Sequence, residues 1–517
     1  MPARRDILLT GATGFLGRYL LRDLLARGRR VVALVRGCPE AAADRIAALT
    51  ALWSDQLAVD LPQPLVVSGD LKSAGLGLDD ADRRQVGRCG AVLHGAAQVA
   101  FHCSSGGEPW ATNVEGTRRL LELCHSVRLS EFHHVSTAFV CGDRTDKVYE
   151  DQLECGQRFH NDYERSKYEA ERLVRMARRV HATFYRPTVI VGDSRTGYTS
   201  SYHGFYPFLE LADRVAEPAN GSSAVRGSRC VPPPRRLALR MPFTGDEPRN
   251  FVPVDWVAQA IVRLVHLPRW HGRTFHLAAY KPIRMNEIKE AAEAGLGVEG
   301  VQWIGSADLV RPSRLEQVFY DHVRAYWPYL HGDPAFDCRN TRIALPWFPP
   351  PRVNRALLAR LIRFALEDRW GQRSRAPRPG PAVDLDCADY VERFLPANAG
   401  RSALARVVAL TLVVGLDIRG PGGGQWTCHW VRADLVSVRR GLEEGAAITY
   451  RTDISTFAAV VRGRQTPQEA FFARRIDVKG DVEKALKLAV LMEHFIKEFP
   501  YHPHVHGEAM DASPCSG

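Results

Sequence analysis

The stretch Thr10-Gly-Ala-Thr-Gly-Phe-Leu-Gly-Arg-Tyr-Leu-Leu21, set directly after the apolar run Ile7 to Leu9, decides how this chain folds. Gly11 lets the backbone turn sharply off a strand, Gly14 lets it approach a pyrophosphate, and Gly17 lets the next helix pack tightly on that strand. Phe15, Tyr19, Leu20 and Leu24 recur at helical spacing, Gly28 stops the helix, and Val31 to Val35 reads as a second strand. The result is a βαβ dinucleotide site, with Thr10, Thr13, Phe15, Leu16 and Arg18 around the glycine turn. An NAD site of this kind carries an acid about 20 positions on. Here Arg36 stands instead, which suits a 2′-phosphate and therefore NADPH, with Arg18 as a second phosphate contact.

Moving outward, Val66-Val-Ser-Gly-Asp70 reads as a third strand whose terminal acid, followed by Leu71, reaches an adenine or else caps a helix. Ala91-Val-Leu-His-Gly-Ala-Ala97 reads as a fourth strand emptying into small residues, so that His94 to Ala97, Ala96 and Ala97 included, line the cofactor. Asn113 opens another helix. His133 to Val140 reads as a fifth strand with Ser136 and Thr137 at its carboxyl end, where ligands sit in open α/β sheets. Tyr163-Glu-Arg-Ser-Lys167 lies in a helical segment, and its i, i+4 spacing puts phenol and ammonium on one face. A phenol with a pKa of ~10 is a poor acid or base at pH 7, but a neighbouring Lys and an oxidised nicotinamide favour phenolate; a shift of ~3 units is worth ~4 kcal/mol. Thr137, Tyr163 and Lys167 are the catalytic candidates: Thr137 binds a substrate carbonyl oxygen, Tyr163 protonates it, and Lys167 tunes Tyr163 and grips the ribose.

The chain has 517 residues, enough for two to four domains, and 45% hydrophobic content, ordinary for a globular protein. Eleven cysteines without paired spacing argue against a disulfide scaffold and a zinc framework, and fit a reducing cytosol. No signal pattern opens the sequence, and the longest apolar run, Val407 to Leu416, is half of the ~20 residues a membrane span needs. The net charge of +11 comes from arginines spread along the chain, which speaks against nucleic acid and favours anionic partners such as NADPH, coenzyme A, an acidic carrier protein or a membrane face.

Together these residues resemble the extended short-chain dehydrogenases/reductases. His94-Gly-Ala-Ala-Gln-Val-Ala-Phe101, Thr112-Asn-Val-Glu-Gly-Thr117, Tyr185-Arg-Pro-Thr-Val-Ile-Val-Gly192 and Asn250-Phe-Val-Pro-Val-Asp-Trp256 are similar to the fatty acyl-CoA reductase and thioester reductase branch, over residues 5 to 290. The resemblance implies a Rossmann-like doubly wound parallel sheet with a helical substrate region. It also implies hydride transfer from NADPH to an acyl thioester, giving aldehyde or alcohol. It puts the catalytic hydroxyl on Thr137 rather than Ser136, and Pro187 to Val189 against the nicotinamide carboxamide. The aromatics Tyr198, Tyr202, His203, Phe205, Tyr206 and Phe208 read equally as substrate wall or as core.

Residues 301–371 read as a helical lid, including a basic amphipathic stretch around Leu357 to Phe364 that packs on the core, roofs an acyl tunnel or lies on a membrane. Residues 372–382, rich in Arg, Pro and Gly, read as a linker between a 1–300 reductase domain and a new domain over 383–505. Strands at Leu412 to Ile418, Trp426 to Trp430 and Leu435 to Val438, then helices, resemble the sterol carrier protein type-2 fold, a smaller α+β lipid-binding domain. His502, His504 and His506 alternate where the chain enters its 506–517 tail, read as flexible, and no metal site is assigned. Two other functions fit the same motifs: a sterol or 3-keto/3-hydroxy lipid dehydrogenase, and a lipid-transfer or redox-sensing scaffold.

Overall fold

The computed structural model describes residues 6–104, 106–216, 234–305, 309–372, 385–402, 411–432, 434–472 and 475–501. The expected linker beyond Gln372, the domain start near Val383 and the tail histidines lie outside these residues. The described residues fall into two compact units, one drawn from within 1–213, 238–310 and 323–375, the other from within 214–237, 311–322 and 376–517.

In the first unit the apolar runs do form strands: β1 (Asp6–Thr10), β2 (Val31–Val35), β3 (Leu65–Ser68), β4 (Cys89–His94), β5 (Glu131–Val135), β6 (His181–Pro187) and β7 (Thr274–Leu277). They make one sheet in the order β7-β6-β5-β4-β1-β2-β3, every pairing parallel. A parallel sheet must be covered on both faces, which is why β1 and β2 are almost wholly apolar and buried. Helices α1 (Phe15–Ala26), α2 (Pro39–Leu57), α3 (Gly116–Ser126), α4 (Asp162–Met176) and α5 (Val254–Val265) flank it. The chain order reverses beside β1, where β4 lies on one side and β2 on the other, and that switch point is where such sheets bind nucleotides.

Helix α6 (Arg355–Glu367) buries Leu357, Leu358, Leu361 and Ile362, so its apolar stripe is used inside the protein. Several of the aromatics left open above are packing residues too. Tyr206 is fully buried with its hydroxyl accepting from the Gly192 N–H at 3.2 Å, and Tyr202 donates to Asp368 at 2.6 Å.

The second unit holds a mixed five-stranded sheet, in which β8 (Leu412–Arg419) pairs antiparallel with β9 (Gly424–Val431) and parallel with β11 (Ile448–Asp453). β10 (Asp434–Arg440) and β12 (Ile476–Gly480) complete the order β10-β9-β8-β11-β12. Helix α7 (Val482–Glu498) covers it, and Tyr390, Val414, Trp426, Ile448 and Leu488 share one apolar core. No helix among the described residues is long and apolar enough to cross a membrane.

Candidate active site

The glycine turn is built as its residues require. Gly11 has φ +77°, and a Cβ on it would stand 2.7 Å from the Ala96 nitrogen; a Cβ on Gly17 would stand 1.8 Å from the Gly11 carbonyl oxygen. Exposed Gly14 caps α1 without any side-chain bond to the first-turn amides, which leaves those amides to an anion. Thr13, Phe15 and Leu16 are half-buried around the turn. The described residues thus form a cradle that a Cβ would fill and that suits a pyrophosphate.

Thr10 does not face this cradle, because its side chain is wholly buried and taken up in a directional chain. The Ala96 N–H donates to Thr10 Oγ1 at 3.2 Å, Thr10 lies 2.7 Å from His94 Nδ1, His94 Nε2 lies 3.0 Å from Thr117 Oγ1, and Thr117 donates to the Asn113 carbonyl at 2.6 Å. Since the Thr117 proton is committed to a carbonyl, His94 must donate from Nε2 and accept at Nδ1. Burial holds His94 neutral by pushing its pKa down to about 3. Asn113 continues the clamp: its amide donates to the Gln98 carbonyl at 3.0 Å and to Ser166 at 2.9 Å, and its oxygen accepts from the Gln98 N–H at 2.8 Å. Thr10 and Asn113 therefore fix the 95–98 loop, on which Ala96 is half-buried and Ala97 exposed.

At the far end of the cleft, Arg36 is exposed just after β2. Arg45, nine residues on and also exposed, donates to the Arg36 carbonyl, and its Nε donates to the Ala41 carbonyl at 3.0 Å. The Arg45 guanidinium thus reaches the end of β2 at Arg36, a placement the sequence does not signal, because Arg45 lies on the exposed face of α2. Arg18 donates to the Tyr198 hydroxyl and, at 3.4 Å, to the Thr13 carbonyl, which braces α1 beside the glycine turn. Asp70 accepts from the Lys72 N–H at 2.9 Å, and Leu71 is buried against Gly116.

Thr137 lies two residues beyond β5 and caps a short turn, accepting from the Phe139 N–H at 3.3 Å, while its hydroxyl lies 3.5 Å from the Pro187 carbonyl. So long a contact leaves the O–H free to turn to another acceptor. Tyr163, half-buried on α4, has its phenol near enough to the Thr137 side chain for the two to interact. Burial pushes the phenol up to about 12, against the lowering by Thr137, so desolvation outweighs stabilisation and the hydroxyl holds its proton. Lys167 is buried one turn on, its Nζ donating to the Val135 carbonyl at 2.7 Å, and burial brings it down to about 8. Val189, half-buried, pairs in register with Phe251 beside Pro187.

Behind Lys167 lies a group absent from the candidates above. Glu171 is fully buried, binds Arg186 through both oxygens at 2.7 and 3.0 Å, and binds Arg175 at 2.7 Å. The two guanidinium groups outweigh the cost of burial and hold this carboxyl well below the usual range, at about 2. On the other side of Tyr163, buried Glu164 accepts from the Tyr329 hydroxyl at 2.6 Å, and the Tyr329 ring stands 5.5 Å from Phe139 and 5.9 Å from Phe101. An aromatic wall thus flanks the Thr137–Tyr163 pair, contributed by segments that carry no shared sequence signature.

Residues 9–261 match the model of the male sterility protein family, a nicotinamide-dinucleotide-binding family, and residues 391–493 match that of the SCP-2 sterol transfer family. Over 385 residues the chain is 28% identical to the nonribosomal peptide synthetase asaC of Aspergillus flavus, covering 66% of this chain and 34% of that one. Over 295 residues it is 32% identical to an isonitrile lipopeptide synthase of Streptomyces coeruleorubidus, covering 56% and 18%. The chain therefore spans about a third or less of these relatives. Among solved structures, the terminal R domain of the myxalamid PKS-NRPS biosynthetic pathway aligns with a TM-score of 0.58 at 27% identity, over 72% of this chain and 92% of that one.

Proposed function

We propose that this chain, which carries a reductase domain of the male sterility protein family and a domain of the SCP-2 sterol transfer family, reduces a lipidic acyl thioester with NADPH. The thioester is borne on the pantetheine arm of a carrier protein or on coenzyme A, and the product is the aldehyde, or the alcohol after a second turnover. The relatives' names, a peptide synthetase and a lipopeptide synthase, together with likeness to a terminal R domain, favour the carrier-bound form. The observation that carries the reading is the placement of the Tyr163 phenol beside the Thr137 hydroxyl just past the carboxyl end of β5, with Lys167 one turn on.

The cradle of Gly11, Gly14 and Gly17 fits the pyrophosphate, Arg36 and Arg45 the 2′-phosphate, and the bound cofactor supplies hydride. Thr137 offers its loosely held O–H to the thioester carbonyl, polarising it and fixing its position. Tyr163, kept protonated by burial, gives its proton to that oxygen as negative charge develops. Lys167, still cationic at neutral pH, favours the phenolate left behind, which takes the proton back from the hemithioacetal hydroxyl as the C–S bond breaks; the departing thiolate takes a proton from solvent, leaving aldehyde and free thiol. The aromatic wall of Phe101, Phe139 and Tyr329 keeps water from the reacting carbon. The domain limits drawn from the sequence serve this reading: 1–300 for chemistry, 301–371 for the substrate side, and 383–505 for the acyl tail. All nine cysteines among the described residues are free thiols, which supports a cytoplasmic site of action.

The test is stoichiometry. Thioester reduction liberates one thiol per first hydride, detectable with a chromogenic disulfide, together with an aldehyde identified by mass spectrometry. Cofactor oxidation with a ketosteroid but with no thioester would replace this reading by the sterol dehydrogenase one.

A further inference from the structure

At the amino end of the sheet, remote from the catalytic pair, three side chains from two distant segments converge. Glu131 and His133 are two apart on β5 and so face the same way. His271 arrives on the turn after α5. One carboxylate oxygen, Glu131 Oε1, lies 2.7 Å from His271 Nδ1 and 3.1 Å from His133 Nε2, and the two rings meet edge to face with centroids 4.7 Å apart. The outer nitrogens are held as well. His271 Nε2 is 3.1 Å from the Leu264 carbonyl, and His133 Nδ1 is 2.9 Å from the Tyr185 hydroxyl.

This outer shell fixes the chemistry of the inner one. A carbonyl only accepts, so His271 donates from Nε2 to the Leu264 carbonyl, which leaves Nδ1 directed at the carboxylate. At 2.7 Å that contact holds a proton in the metal-free chain, and a divalent cation entering between the nitrogen and the carboxylate would displace it. All three donor atoms lie within 4.8 Å of one another, and ligand bonds of about 2.1 Å give a tetrahedral edge of about 3.4 Å, so small side-chain movements suffice. His181, the register partner of Glu131 on β6, stands at the same edge with its Nε2 against Gly272. The Glu131 side chain is 36% exposed, which provides an entry path.

We infer that Glu131, His133 and His271 form a binding site for a zinc-type divalent cation, with His181 placed to supply the fourth ligand. Two imidazoles and a carboxylate, each imidazole oriented by an outer hydrogen bond, are the donor set and support such an ion takes. Six residues of extended chain, on the order of 20 Å, separate Glu131 from Thr137. The ion is therefore structural: it ties the turn carrying His271 to β5.

The test is Zn2+ titration of the full, metal-stripped chain against a chromogenic chelator, with Co2+ as a spectroscopic probe. The wild-type chain should bind one equivalent here and give the visible bands of four-coordinate Co2+. His271→Ala and Glu131→Gln should each weaken that equivalent at least 100-fold while NADPH binding persists, showing that the variants are folded. Replacing His502, His504 and His506 together by Ala should leave it in place, which separates this site from the tail histidines. Unchanged affinity in His271→Ala and Glu131→Gln, loss of the equivalent in the tail variant instead, or no tight Zn2+ binding by the wild-type chain would overturn the assignment. If His271→Ala does not fold, the Co2+ spectrum and its loss in Glu131→Gln decide.

Discussion

Gly17 and Gly14 offer a paired perturbation whose two outcomes the structure separates. A Cβ on Gly17 would lie 1.8 Å from the Gly11 carbonyl oxygen and 2.6 Å from its carbonyl carbon, both backbone atoms that no rotamer change can move aside. Contact near 3.2 Å requires α1 to shift by ~1.4 Å, at the upper end of the ~1–3 kcal/mol that overpacking costs. Ala in place of Gly within a helix returns about 1 kcal/mol, so Gly17→Ala should cost about 2 kcal/mol net, a fall of roughly 4 °C in Tm, and should weaken NADPH binding because the turn moves. At Gly14 a Cβ meets only the Gly11 oxygen, at 3.2 Å, and the backbone is already extended. Gly14→Ala should therefore keep Tm within ~2 °C and still lose NADPH affinity, since the methyl occupies the pyrophosphate path. Differential scanning calorimetry and cofactor fluorescence titration read the two quantities. Gly17→Ala with an unchanged Tm, or Gly14→Ala binding NADPH as tightly as wild type, would refute the placement of the cradle.

Three further outcomes follow from the same geometry. Glu171→Gln strands the buried Arg186 guanidinium and should cost about 3–5 kcal/mol in denaturant titration; a loss below 1 kcal/mol would mean that the ion pair is not needed. Lys167 titrates near 8 in the folded chain against an ordinary 10.5, so unfolding takes up a proton between those values. Stability measured against Lys167→Met should accordingly rise by about 3 kcal/mol from pH 8 to 10.5, while kcat/KM falls through pH 8 as the charge is lost; a flat rate to pH 9.5 contradicts the role given to Lys167. Arg45→Ala should weaken NADPH about 10-fold or more while leaving NADH unchanged, as loss of a charge-assisted phosphate contact requires, and equal losses for both cofactors would remove Arg45 from the 2′-phosphate site.

Local chemistry made much of this readable in advance. The glycine turn, β2 over Val31–Val35 and the helix holding Tyr163 and Lys167 carry their signals in consecutive or helically spaced residues, and they fold where those signals put them. Strand ends were less legible: β5 stops at Val135, and Thr137 begins a turn, because its side chain caps that turn and no ladder partner continues the strand. Tertiary partners were the least legible. The ion pair from Glu171 to Arg186, the Tyr329 ring beside Glu164, and the approach of His271 to Glu131 join segments 15, 165 and 140 residues apart, and none is implied by a local period. The protonation of Tyr163 likewise depends on burial, which spacing alone does not report.

The most direct measurement is the single-turnover rate of NADPH oxidation by Tyr163→Phe with an acyl-pantetheine thioester, alongside its NADPH Kd. Loss of the proton donor should slow the step by about 10²–10⁴-fold and leave the Kd within about threefold of wild type. A wild-type rate in that variant would contradict the assignment of Tyr163 as the group that protonates the substrate oxygen.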